Sequence, residues 1–184
     1  MLWTVSDASA QRVLNANGGF EDAEIGAAIA DVANWDLWLS QENTPDIEVE
    51  VIADPGNAEN KILKASLIDI TPAAEPYDGQ LAYLNMPLVA GTRYKLELRV
   101  RAENPEAATI NLDGGPGAQI WGRGISGSDW TVIETGIFTV DTDGTRNATV
   151  HLASSSNANG QTIYIDYLHL IDVDYVEPSA PPLA

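Results

Sequence analysis

The chain has 184 residues, 45% of them hydrophobic and 20% charged, which is long and apolar enough to bury a core and excludes general disorder. It contains no cysteine, so disulfide scaffolds, thiolate metal sites and cysteine nucleophiles are ruled out. Nine basic against 27 acidic side chains give a net charge of −18, which disfavours nucleic acid and anionic membrane and suits neutral or cationic ligands, divalent metals, or solubility in salt.

Met1–Ala10 reads as a tail, with Ala8-Ser9-Ala10 before Gln11 in the small-x-small pattern of a signal-peptidase site. Met1–Val5 is too short and lacks the positive charge of a complete signal, leaving a signal or linker remnant and a frayed terminus as equal readings. Glu24–Val32 is the one stretch with helical spacing. Beyond it the period is two. Strands are expected at Ile47–Ile52, Ile62–Leu67, Gln80–Leu84, Arg93–Ala102, Thr109–Leu112, Thr131–Val140, Thr149–Leu152 and Thr162–Val173. The clearest is Arg93–Ala102, where Tyr94, Leu96, Leu98, Val100 and Ala102 alternate with charged residues. Turn clusters such as Asp54-Pro55-Gly56-Asn57 and Asp113-Gly114-Gly115-Pro116-Gly117 punctuate them. Val176–Ala184 is proline-rich and linker-like. The expected organisation is a tail (1–10), an all-β jelly-roll sandwich of two antiparallel sheets (11–174) and a linker (175–184). No internal repeat is found, and no run approaches the roughly 18 apolar residues of a membrane helix.

Several groups carry possible chemistry. Gly122-x-Gly124-x-x-Gly127 matches a dinucleotide fingerprint as a string, but it leads into a strand, whereas the motif needs a helix N-terminus to meet a pyrophosphate. Asp46, Glu48 and Glu50 share one strand face and loosely resemble the acidic strand of jelly-roll glycoside hydrolases, although their order departs from that pattern and a solvated acidic face is the alternative. His169 falls on the parity of Ile163, Ile165 and Tyr167 and reads as structural, while His151 is on the opposite parity to Val150 and Leu152 and points away from the core. Trp121 follows the glycine-rich turn, and Tyr77 lies in Glu75-Pro76-Tyr77-Asp78-Gly79. Exposed rings of this kind either stack on sugars or cap the ends of the sandwich.

Asn17-Gly18-Gly19-Phe20-Glu21 followed by Trp35, the Gly91-Thr92-Arg93-Tyr94 segment, Trp130 before its strand, and Gln161–Leu168 with Tyr164-Ile165-Asp166 occur in the order found in a known family. Over about residues 13–172 the chain resembles the family 4/9/16/22-type carbohydrate-binding modules, most closely the family 4 modules of bacterial xylanases. The resemblance implies a jelly roll whose concave cleft binds one β-glycan chain, with Tyr77 as a stacking platform and Gln80, Trp121, Arg123 and His151 around it. One departure is that Ala118 or Gln119 stands where the relatives carry a second stacking aromatic. It also implies a structural calcium held by backbone Gly19, the Glu21 carboxylate, a backbone carbonyl near Lys61, and Asp166. The expectation is a secreted, monomeric, non-catalytic module. It would bind β-1,4-linked polysaccharide (xylan first, mixed-linkage β-glucan or amorphous cellulose second) and hold a tethered glycoside hydrolase near its polymer. A hydrolase using Asp46, Glu48 and Glu50, and a calcium-stabilised adhesion or structural sandwich, are the alternatives.

Overall fold

A computed structural model describes residues 12–73, 75–103, 108–125, 129–154 and 156–175, so the expected tails Met1–Ala10 and Val176–Ala184 lie outside the described residues. Among the described residues the period-two pattern becomes twelve strands: β1 (Arg12–Val13), β2 (Trp35–Leu39), β3 (Asp46–Asp54), β4 (Asn57–Asp69), β5 (Gly79–Leu88), β6 (Arg93–Ala102), β7 (Thr109–Asp113), β8 (Gln119–Gly124), β9 (Thr131–Glu134), β10 (Phe138–Thr139), β11 (Gly144–His151) and β12 (Gln161–Asp172). They form two antiparallel sheets. The larger runs β10-β6-β12-β4-β3, with β1 added to β12 and β9 to β6; the smaller runs β2-β5-β11-β7-β8. Alternate residues of both sheets meet in the core: Leu96, Leu98 and Val100 of β6, Ile163, Ile165, Leu168 and Leu170 of β12, and Leu81, Ile110, Leu112 and Val150 of the smaller sheet, all fully buried. Truncating one such leucine to alanine costs about 2–5 kcal/mol.

The Asn17–Glu21 segment stitches the start of the chain to its last strand. The Asn15 side chain donates to Leu168 O at 2.7 Å and accepts from Leu170 N at 2.7 Å. Gly18 is required by this approach, because a Cβ there would lie 2.6 Å from the Leu168 carbonyl oxygen. Phe20 then packs on Trp35, 5.0 Å between ring centroids, and Trp35 meets Tyr83 edge-on at 5.3 Å. The Trp35 and Tyr83 polar tips donate to the carbonyls of Asn17 and Ala16, so neither ring leaves its donor unpaired.

Four expectations change. Glu24–Val32 makes only a 3-10 turn at Ile29–Asp31, because Gly26 N and Ala27 O are spent on Val51 of β3. Thr131–Val140 divides into β9 and β10, since the Thr135 hydroxyl takes over the ladder contact with Leu96 N and the chain steps at Gly136. No strand is expected between Leu112 and Thr131, yet Gln119–Gly124 forms β8 there. A β-bulge at Asp166 resets the parity of β12, so Leu168 and Leu170 enter the core, while His169 turns outward with Tyr167, stacked on it at 4.1 Å. His169 therefore does not share a face with Ile163 and Ile165.

Candidate functional site

Residues in register on neighbouring strands share a face of the sheet. On the outward side of the smaller sheet, Trp38 of β2 faces Gln80 of β5, Gln80 faces His151 of β11, and His151 faces Asn111 of β7. A second row runs beside it: Asp36, Ala82, Thr149, Asp113 and Gln119. β8 closes the first row through an irregularity. Its register with β7 shifts opposite Asn111, Gly122 takes φ +62°, and Gly122 N donates to Asn111 Oδ1 at 2.6 Å. That turn lays the Trp121 ring against His151, centroids 5.4 Å apart and planes at 66°.

The first row is uncharged, the Asp36 and Asp113 carboxylates lie in the second, and the rings are open. Trp38, Tyr77 and Trp121 are 37%, 54% and 55% exposed. The Trp38 indole is held by its N–H donating to Asp36 Oδ2 at 2.8 Å. Tyr77, in the 3-10 turn Pro76–Asp78 that leads into β5, accepts a 2.7 Å bond from Gln80 Nε2 on its carbonyl, leaving the Gln80 carbonyl oxygen free to accept. His151 is 3% exposed; its Nε2 is 3.1 Å from Thr149 Oγ1, and its Nδ1 is buried without a protein partner. Burial under Trp121 lowers its pKa, with nearby Asp113 acting weakly the other way, which favours neutral imidazole at neutral pH. Flat rings edged by uncharged donors and acceptors suit stacking and hydroxyl recognition.

The structure brings Gln80, Trp121 and His151 onto one face and sets Tyr77 at its end. Arg123 stands in register with core-facing Ile110, so the bulge carries it off Trp121's side to the exposed free edge of β8. Ala118, at the place of the missing second aromatic, is fully buried, and Gln119 bonds Asp113 at 2.9 Å. Sequence reasoning missed Trp38, Asn111 and Thr149. The available signal was Trp35: once that ring is the buried one, alternation puts Asp36 and Trp38 outside.

Asp46, Glu48 and Glu50 lie on the outer side of β3, an edge strand of the other sheet, and Glu50 pairs with Lys64 at 3.0 Å. Gly122 and Gly124 belong to β8, which is followed by strand β9 rather than a helix, and Gly127 lies outside the described residues.

The four residues expected to hold calcium gather where the first segment meets β4 and β12. A Cβ on Gly19 would sit 2.8 Å from Glu21 Oε1 and 3.6 Å from the Asp166 carbonyl oxygen, so these two hard oxygens flank a residue with no side chain. The Lys61 ammonium donates to the carbonyls of Glu21 (3.0 Å) and Ala23 (2.5 Å), while the Asp166 carboxylate is bonded by Arg99 and Asn60. Among the described residues no three or more His, Cys, Asp or Glu side chains converge as metal ligands. A cation there would rest on the Glu21 carboxylate and the Asp166 carbonyl, hard oxygens of the kind calcium takes, beside the Lys61 ammonium that already occupies the Glu21 and Ala23 carbonyls.

No family model and no curated protein matches the chain. Solved structures do. A CBM4 structure superposes with a TM-score of 0.58 at 18% identity, covering 86% of this chain and 98% of that one. TmCBM61 in complex with β-1,4-galactotriose gives 0.50 at 14% identity, covering 90% and 99%. An arabinose-bound GH51 α-L-arabinofuranosidase gives 0.53 at 20% identity over 89% of this chain, which corresponds to about a quarter (26%) of the enzyme. With two antiparallel sheets in this order and these neighbours, the chain has the β-sandwich fold of carbohydrate-binding modules.

Proposed function

We propose that the outer face of the five-stranded sheet binds a single chain of neutral β-1,4-linked polysaccharide, xylan first and mixed-linkage β-glucan or amorphous cellulose second, without cutting it. The carrying observation is the row Trp38, Gln80, His151, Asn111 with Trp121 laid over the imidazole. Two exposed indoles supply platforms for sugar C–H faces, and the half-buried Gln80 amide supplies a hydroxyl partner, with His151 seated beneath Trp121. The CBM61 structure of similar fold, matched over nearly its whole length, holds β-1,4-galactotriose, which supports a sugar as the ligand class. The working form is a secreted monomer tethered to a glycoside hydrolase, raising that enzyme's effective concentration at its polymer. Native affinity gels containing xylan, mixed-linkage glucan or hydroxyethylcellulose test the reading: xylan retards the protein most, and migration unchanged in every gel contradicts it.

Calcium bound at Glu21 and the Asp166 carbonyl belongs to the same proposal as a structural element joining the first segment to β12. A ligand bound only by the folded state, at about a hundred times its Kd, stabilises by about 2.7 kcal/mol. Calcium therefore raises Tm by several degrees in the wild type and not in Glu21→Ala, as scanning calorimetry with and without chelator reads out. An identical Tm in calcium and chelator contradicts the site.

A further inference from the structure

We propose that a cavity at the end of the five-stranded sheet receives a neutral sugar branch carried by the polysaccharide main chain; this rests on the glycan-binding reading above. The cavity measures about 510 Å³ and is lined by Thr71, Glu75, Pro76, Ser154, Asn157 and Asn159 among others. Its place ties it to the row. Pro76 directly precedes Tyr77, and Ser154 follows three residues after His151, so it opens beside the last exposed ring.

Three properties define the guest. The volume falls within the roughly 300–1,000 Å³ of small-ligand sites, and the described lining has no aromatic ring, so the cavity offers acceptor oxygens to a sugar's hydroxyls rather than a stacking floor for a main chain. The polar wall is fixed before binding: Asn157 Nδ2 donates to Thr109 O (3.1 Å) and Leu152 O (2.8 Å), its oxygen accepts from Thr109 N (2.7 Å), and Ser154 Oγ is 2.6 Å from Thr109 Oγ1. Asn159 holds the opposite wall: its oxygen accepts from Ile70 N, and its amide donates to Thr71 Oγ1 and to the Asp69 carboxylate behind the lining. A preformed wall spares the ordering cost of binding. The third property is charge. Glu75 is the single charged residue of the lining, in a chain of net charge −18, so a branch bearing a carboxylate meets repulsion with no cation to offset it.

The test is calorimetric titration with three β-1,4-xylo-oligosaccharides of equal main-chain length: bare, carrying one arabinofuranosyl branch, and carrying one glucuronosyl branch. The arabinosyl ligand binds about fivefold tighter than the bare one, the worth of one or two net hydrogen bonds, and the glucuronosyl ligand no tighter. Ala73→Phe, which fills the cavity, removes that gain and leaves the bare ligand's affinity unchanged. Glu75→Gln keeps a capping-box acceptor for the Pro76–Asp78 turn and improves the glucuronosyl ligand. Equal affinity for bare and arabinosyl ligands overturns the proposal, as does a gain that survives Ala73→Phe. Failure of all three ligands to bind would instead remove the glycan-binding reading beneath it.

Discussion

The two sheets present outward faces of opposite character, although both obey the same alternation. On the seven-stranded sheet every aromatic ring is engaged. Trp130 lies between the guanidinium groups of Arg99 (4.8 Å) and Arg101 (4.7 Å), Tyr164 takes Arg101 on its ring, and Tyr167 stacks on His169 while donating to Glu97 at 2.7 Å. Several of the charges there are paired as well, Glu50 with Lys64, Lys95 with Glu97 and Glu134, and Arg101 with Asp54. On the five-stranded sheet Trp38 and Trp121 are open to solvent beside a row of neutral groups. The difference teaches that counting outward aromatics does not locate a binding face. What distinguishes it is rings and polar atoms whose interactions are incomplete.

The largest expected effect breaks this comparison directly. Trp121→Ala lowers xylan affinity at least about tenfold, since a stacking platform is worth about 1.4 kcal/mol or more, whereas Trp130→Ala leaves affinity within about twofold. Trp130→Ala instead lowers Tm by about 2–8 °C, as losing two cation–π contacts of about 0.5–1 kcal/mol each would do in a domain of this size. Affinity electrophoresis and calorimetry on the same two variants separate the outcomes. Salt gives a smaller effect: xylan affinity changes less than about twofold between 0.05 and 1 M NaCl, because the row holds no paired charges to screen.

The smallest effect is in pH. Burial lowers the pKa of both His151 and His169 below the ordinary value of 6.5, so the unfolded chain binds protons more readily than the folded one. Stability is then level above about pH 6.5 and falls as pH drops toward the folded-state values. His151→Gln and His169→Gln each reduce that slope, read as Tm against pH between 5 and 7. A slope unchanged in both variants would show that these rings do not carry it.

Much of the fold is legible in the sequence where one face is buried and the other wet. β6 runs over the ten alternating residues Arg93–Ala102, and the Asp54–Asn57 turn joins β3 to β4 with Asp54 Oδ1 accepting from Gly56 N. Alternation fails where the backbone inserts a residue. The bulge at Asp166 moves His169 to the outer face, and the register shift in β8 separates Arg123 from Trp121, neither of which has a side-chain signature. β8 is obscured further by Gly122 and Gly124, which read as turn. At the site, the outward parity of His151 is visible from Val150 and Leu152, but its burial depends on Trp121 arriving from a distant strand, and the role of Trp38 on deciding which of two nearby tryptophans enters the core.

The most direct measurement is a residue-resolved NMR titration with xylohexaose. The account predicts saturable shifts at the indole N–H groups of Trp38 and Trp121, the side-chain amides of Gln80 and Asn111 and the His151 ring, with the Trp130 indole unmoved. Shifts centred on Trp130 and Tyr164, or a spectrum unchanged at millimolar ligand, would contradict it.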